Sequence, residues 1–169
     1  KVLHPKRMVI SWNGDGCFLM NGQELATAVQ YGLAVIFVVV DNGMYGTIRM
    51  HQERNYPARV SGSDLTNPDF AALARAYGAH GETVLQTEDF APAFERAHAS
   101  GKPALLHLKL EPQALTPNAS LDALRSVRGR RGVGRVDLPG RFGARGSSQS
   151  CDDRRRDAIG RLLGCGAAA

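Results

Sequence analysis

Two short runs carry the residues best suited to chemistry. Asp15 stands between glycines in Gly14-Asp15-Gly16, and Asn42 lies 27 positions later in Asp41-Asn42-Gly43-Met44-Tyr45. A carboxylate and a side-chain amide are hard oxygen donors, the kind preferred by a magnesium ion that bridges phosphates. Each run follows an apolar stretch: Met8-Val9-Ile10-Ser11-Trp12 precedes the first, and Val35-Ile36-Phe37-Val38-Val39-Val40 the second. A helix-like segment lies between them. Two parallel strands joined by a crossover helix end at the same edge of the sheet, so both loops should emerge side by side. Alone, Gly14-Asp15-Gly16 is an ordinary tight turn. Its pairing with Asn42 across a strand-to-strand return gives it chemical meaning.

The elements that must position these loops follow from periodicity and punctuation. Arg7 to Trp12 reads as a buried strand, and Asn13-Gly14-Asp15-Gly16 as the turn after it. Asn21 and Glu24 have capping-box spacing, which predicts a helix starting there, with Leu25, Ala28 and Val29 on its inner face and Gly32 at its end. Val35 to Val40 is apolar on both sides, as the centre of a parallel sheet requires. Gly43 to Ser63 reads as a long irregular loop. Asn67 as cap and Pro68 at the first position predict a second helix, with Phe70, Leu73, Ala74 and Tyr77 facing inward and Gly78 as stop. Gly81 to Val84 is a short strand, a third helix runs from about Thr87 or Glu88 to Ala99, and Pro103 to Leu110 is the last strand. The order predicts an α/β fold, a doubly wound parallel sheet with helices on both faces, with ligand sites outside the C-terminal ends of the strands. Trp12 is expected to pack in the core.

At these residues the chain resembles the thiamine-diphosphate enzymes, which carry Gly-Asp-Gly, a spacer and then Asn-Asn. The corresponding stretch is GDGCFLMNGQELATAVQYGLAVIFVVVDN, and NGQELATAVQYGL and DNGMYGTIRMHQE resemble the acetolactate-synthase-like branch in most detail. The resemblance covers residues 1–125 and implies the C-terminal thiamine-diphosphate-binding domain of such an enzyme, truncated at its N-terminus. It implies Mg²⁺ held by the Asp15 carboxylate, the Asn42 amide oxygen and the Met44 backbone carbonyl. It also implies diphosphate contacts from Gly14, Asp15, Gly16, Cys17, Asn42, Met44, Tyr45 and Gly46, with backbone N–H groups near Gly16 and Cys17 and around Tyr45-Gly46 turned to phosphate oxygens. One departure is visible: the first Asn of the usual pair is Asp41, which adds a carboxylate beside the site.

The family decarboxylates a 2-oxo acid and passes the carbanion equivalent to a proton or to a second carbonyl. Its cofactor-activating glutamate lies on another domain, and the apolar residue that bends the cofactor lies upstream of Gly-Asp-Gly. No catalytic residue is therefore expected within this chain, which alone should be inactive. Full-length relatives imply a homo-oligomer and leave open whether FAD is bound; a chain opening without a signal-peptide pattern, with an odd cysteine count, is expected in the cytoplasm. The alternatives are a 2-oxo acid decarboxylase domain of the same family, or a non-catalytic fragment with a nucleic-acid-binding basic tail.

Composition sets limits on these readings. A chain of 169 residues accommodates one domain with a real core, and no apolar run is long enough to span a bilayer. Cys17, Cys151 and Cys165 form no CxxC pair, which argues against a disulfide framework and for a reducing compartment. Cys17 reads as a small residue whose backbone faces the phosphate. The net charge of +5 resides in the tail: residues 1–125 hold 11 Lys/Arg against 12 Asp/Glu, whereas residues 126–169 hold 10 Arg against 4 Asp. That Arg/Gly-rich tail reads as disordered. Phe142 is its one aromatic residue and it carries no recognisable motif, so base stacking, and nucleic acid as a partner, are not expected. His51 reads as a solvated loop residue, and His4, His80, His98 and His107 lack metal-ligand spacing.

Overall fold

The computed structural model describes residues 1–116 and 119–129. In chain order the elements are β1 (Val9–Gly14), α1 (Asp15–Asn21), α2 (Glu24–Gln30), β2 (Val35–Asp41), α3 (Gly46–Asn55), α4 (Phe70–Ala76), β3 (His80–Val84), α5 (Phe90–Ala99), β4 (Ala104–Lys109), β5 (Ala114–Thr116), β6 (Ala119–Ser120) and α6 (Leu121–Gly129). The first four strands to pair form one sheet in the order β1-β2-β4-β3, and every pairing is parallel. β5 and β6 make a small antiparallel pair.

Strand β2 is central and is buried from both sides, which explains its unbroken apolar sequence. Val39 joins Phe18, Leu25, Phe70, Ala74 and Leu105 in a cluster beneath α1, α2 and α4. Ile36 and Val38 join Val84, Ala93, Ala97 and Leu106 beneath α5 on the opposite face. The expected doubly wound α/β sheet, with helices on both faces, is the observed architecture.

Close approach of α4 to β3 depends on Gly81. A Cβ there would lie 2.2 Å from the Ala71 carbonyl oxygen and 3.1 Å from the Ala74 Cβ. The obstacle is backbone, which cannot rotate away. Gly81→Ala is expected to cost about 3 kcal/mol, the upper end for overpacking a core, and to lower the melting temperature by roughly 10 °C. Thermal melting followed by circular dichroism measures it.

Several local expectations need correction. The first helix begins at Asp15, directly after Gly14, and Asn21 ends it rather than capping the next one. Gln23 precedes α2 without a side-chain cap bond, so the apparent capping box of Asn21 and Glu24 is not used. The supposed loop from Gly43 to Ser63 contains the ten-residue helix α3. The N-cap of α4 is Asp69, whose side chain accepts the Ala72 N–H at 2.9 Å, and Asn67 is left for another task. Gly78 does stop that segment, with φ +88.

Trp12 is 65% exposed rather than packed in the core. β1 is the edge of the sheet, and its register sets Trp12 beside Val38 and Ile10 beside Ile36, on the α5 face. α5 packs on β3 and β4, at the far side of the sheet, so the β1 side chains on this face stay open. The expected change of character at Ser126 falls inside α6. Pro117, Asn118 and residues 130–169 of the expected tail lie outside the described residues. Among the described residues, no helix is long and apolar enough to cross a membrane.

Candidate functional site

The parallel pairing of β1 with β2 runs in register to Gly14 opposite Val40, so both strands deliver their following residues at the same sheet edge. Asp15 is 3% exposed, and its carboxylate ties the start of α1 to the loop after β2. Oδ1 accepts the Gly16 N–H at 2.8 Å; Oδ2 accepts the Gly43 N–H at 2.9 Å. Gly43 has φ +70, a left-handed conformation that favours glycine, and it immediately follows Asn42. The Met44 N–H lies 3.2 Å from Asn42 Oδ1, a long bond. A pairing of 43–45 with 63–65 stiffens the second loop: Tyr45 N–H donates to the Ser63 carbonyl and Leu65 N–H to the Gly43 carbonyl, both at 2.8 Å.

Around these loops lies a cavity of about 410 Å³ lined by Gly14, Asp15, Gly16, Cys17, Asn42, Met44, Tyr45 and Gly46, the eight residues singled out in the sequence. Val40, Thr47, Ile48, Met50 and Leu115 complete its wall. None of these five was singled out as a site residue, although all but Leu115 lie within the quoted stretches. Four come with β2 or α3, and Leu115 arrives from β5, far along the chain. The cradle is close-fitting: a Cβ on Gly16 would lie 2.4 Å from the Tyr45 ring, and one on Gly46 would lie 2.9 Å from Asn42 Nδ2.

Two of the N–H groups expected to face phosphate are already committed, since Gly16 donates to Asp15 and Tyr45 donates to Ser63. Cys17 and Gly46 sit in the first turns of α1 and α3, where helix geometry leaves N–H groups without an intrahelical acceptor. His51 is exposed on α3. Among the described residues, no group of three or more His, Cys, Asp or Glu side chains could hold a metal ion.

Beneath the cavity is a polar cluster that spacing did not reveal. Asp41 is 4% exposed; its Oδ2 accepts from His107 Nε2 at 2.7 Å and from Lys109 Nζ at 2.6 Å. Its Oδ1 accepts the Gly43 N–H and the Asn67 amide. Burial raises the Asp41 pKa, but the bonds from Lys109, His107, Asn67 and Gly43 outweigh it and hold the carboxyl well below the usual range. The extra charge at this position is thus matched within the fold. A signal was present: His107 and Lys109 are two apart on β4, hence on one face, and β4 pairs with the strand that ends in Asp41.

Residues 1–108 match the family described as "Thiamine pyrophosphate enzyme, C-terminal TPP binding domain". The chain belongs to this family. Among curated relatives of the chain are the acetolactate synthase large subunit of Mycobacterium tuberculosis, 34% identical over 120 residues (71% of this chain, 22% of that one), and the large subunit of acetolactate synthase isozyme 2 from Escherichia coli, 36% identical over 112 residues (66% and 20%). Solved structures with the same fold include a thiamine diphosphate-dependent 4-hydroxybenzoylformate decarboxylase from Rhodococcus jostii, with 33% identity and a TM-score of 0.61 over 65% of this chain and 21% of that one. The benzoylformate decarboxylase of Polynucleobacter necessarius gives 29% identity and a TM-score of 0.60, over 66% and 21%. The chain thus spans about a fifth of the length of these relatives.

Proposed function

We propose that this chain supplies the diphosphate- and Mg²⁺-holding part of an enzyme that decarboxylates a 2-oxo acid and transfers the carbanion equivalent to a second carbonyl, as an acetolactate synthase does. The observation that carries the reading is the Gly43 N–H bond to Asp15, which brings the Asp15 carboxylate beside Asn42 at the mouth of the cavity.

The donors fit Mg²⁺. Asp15, Asn42 and the Met44 carbonyl are all oxygen ligands, and a magnesium ion takes few protein ligands while sharing phosphate oxygens and water. Those three residues would hold the ion; Gly14, Gly16, Cys17, Tyr45 and Gly46 would surround the diphosphate. Thiamine diphosphate, when bound, supplies the nucleophilic carbon and the electron sink that decarboxylation needs. The chain's own part is binding and orientation. Val40, Ile48, Met50 and Leu115 give the cavity an apolar side beside its polar residues.

Among the described residues, no side chain lining the cavity is placed as a general base with a partner, and the chain alone is expected to be inactive, with catalytic residues elsewhere in a longer protein. In that protein a homo-oligomer fits the open apolar side of β1, where Ile10 and Trp12 are 47% and 65% exposed. FAD, if present, would bind outside this domain. A second reading, a 2-oxo acid decarboxylase without carboligation, is favoured by the similarity to the two benzoylformate decarboxylases. Product analysis separates them. With pyruvate, a longer protein containing this domain should yield acetolactate and carbon dioxide; acetaldehyde as the main product would favour the second reading. Decarboxylation by the 169-residue chain above a cofactor-only blank would contradict its expected inactivity.

A further inference from the structure

Asn67 lies in the segment before α4, outside the cavity lining and outside every motif, yet its side chain reaches the centre of the loop pair. Its Nδ2 donates to Asp15 Oδ2 at 2.7 Å and to Asp41 Oδ1 at 2.7 Å. An amide nitrogen carries two hydrogens, so one nitrogen can serve both carboxylates. The orientation is chemically determined: with the amide turned over, its oxygen would face two carboxylate oxygens with no proton between them. The Asn67 oxygen is buried without a hydrogen-bond partner, so the amide keeps this orientation for the sake of its nitrogen.

We propose that Asn67 is a positioning residue for the cation site: it clamps the metal-binding carboxylate of Asp15 against the charge-compensated Asp41. This inference rests on the reading of Asp15 as a Mg²⁺ ligand. The two carboxylate oxygens are no further apart than the sum of their distances to the Asn67 nitrogen, close enough to repel strongly where water is scarce. The Asn67 donor offsets that repulsion on one side, and Lys109 and His107 offset the charge of Asp41 on the other. The remaining donors to Asp15, the N–H groups of Gly16 and Gly43, are backbone. Asn67 is therefore the one side chain seen to fix the rotation of this carboxylate among the described residues. It comes from 52 positions away and links the start of α1 to the approach to α4.

The clamp should matter in proportion to how strictly the ion dictates geometry. Mg²⁺ demands a near-ideal octahedron, whereas Ca²⁺ accepts variable coordination. The test is a calorimetric titration of the chain with thiamine diphosphate in excess Mg²⁺ and, separately, in excess Ca²⁺. It compares wild type, Asp15→Asn and Asn67→Leu, which keeps the shape of the side chain but has no donor. Asn67→Leu is expected to weaken Mg²⁺-supported binding about 10-fold, as loss of a ligand-orienting partner does, and Ca²⁺-supported binding by less than about 3-fold. Asn67→Ala, read by the same ratio, serves if the leucine variant does not fold by circular dichroism. Equal loss with both ions would mean a merely structural role and would overturn the inference, as would wild-type affinity with Mg²⁺. Failure of the underlying reading looks different: wild type and Asp15→Asn would then bind alike, with no dependence on either ion.

Discussion

Replacing Asp15 with asparagine is expected to weaken Mg²⁺-dependent binding of thiamine diphosphate by roughly 100-fold or more, beyond the 10–100-fold typical for loss of an outer-shell partner. The substitution keeps the shape of a side chain that is 3% exposed, so no cavity opens. It removes the single carboxylate in the proposed ligand set. It also replaces an acceptor with a group that must turn its NH₂ away from the Gly43 and Asn67 donors, both of which now meet Oδ2. The fold should persist, because the clusters under α1, α2 and α4 and under α5 do not involve this carboxylate. Titration beside a melting curve separates the two effects: a large loss of affinity with a melting temperature near wild type is the expected pair. Unchanged affinity in a folded variant would remove Asp15 from the metal site.

Glu53→Ala is expected to destabilise the fold by about 3 kcal/mol, the lower end of the cost of leaving buried ion-pair partners uncompensated. Glu53 is 1% exposed on α3. Its Oε1 accepts from Arg49 Nε at 3.1 Å and from Arg125 at 2.7 Å; its Oε2 accepts from Arg125 Nε at 3.1 Å and from the Ala58 N–H at 2.8 Å. One carboxylate therefore joins α3, α6 and the turn at Ala58, which adopts φ +59, a conformation that a residue with a Cβ rarely takes. Arg49 continues the network to Asp64 at 3.0 Å, and Asp64 forms a β-bridge with Met44 at the candidate site.

The same network sets a pH dependence. The hydrogen bond from Arg125 leads, against the opposing effect of burial, in drawing the Glu53 pKa down from 4.5 to about 2. A carboxylate with a depressed folded-state pKa contributes stability that is complete above its unfolded value and is lost as pH falls through the folded one. The stability difference between wild type and Glu53→Gln should therefore be constant above pH 4.5 and shrink toward pH 2. Urea midpoints measured at several pH values give the difference directly. A difference that stays constant down to pH 2 would contradict the assigned charge state.

Where burial produces a periodic pattern, the fold was legible. Val35–Val40 declares a central strand because both its faces are covered, and the two loops follow from the strands that carry them. The cavity lining around Asp15 and Asn42 was legible for the same reason, as parallel strands must end together. Other features depend on contacts that no local pattern encodes. Helix α3 has no apolar stripe; its inward residues, Arg49 and Glu53, are charged and are buried because they pair with each other, Arg49 also with Asp64 and Glu53 also with Arg125. Trp12 is apolar and exposed because β1 is an edge, and strand order is not written in strand composition. Asn67 looked like a helix cap because caps are local, whereas its partners lie 52 and 26 positions away.

The start of α1 and the loop after β2 are proposed to form one Mg²⁺-dependent diphosphate site. Calorimetric titration of the folded chain with thiamine diphosphate, with and without Mg²⁺, tests it most directly. The account predicts saturable binding that needs Mg²⁺ and disappears in Asp15→Asn. Binding of equal strength without Mg²⁺ and in Asp15→Asn, by protein that circular dichroism shows to be folded, would contradict it.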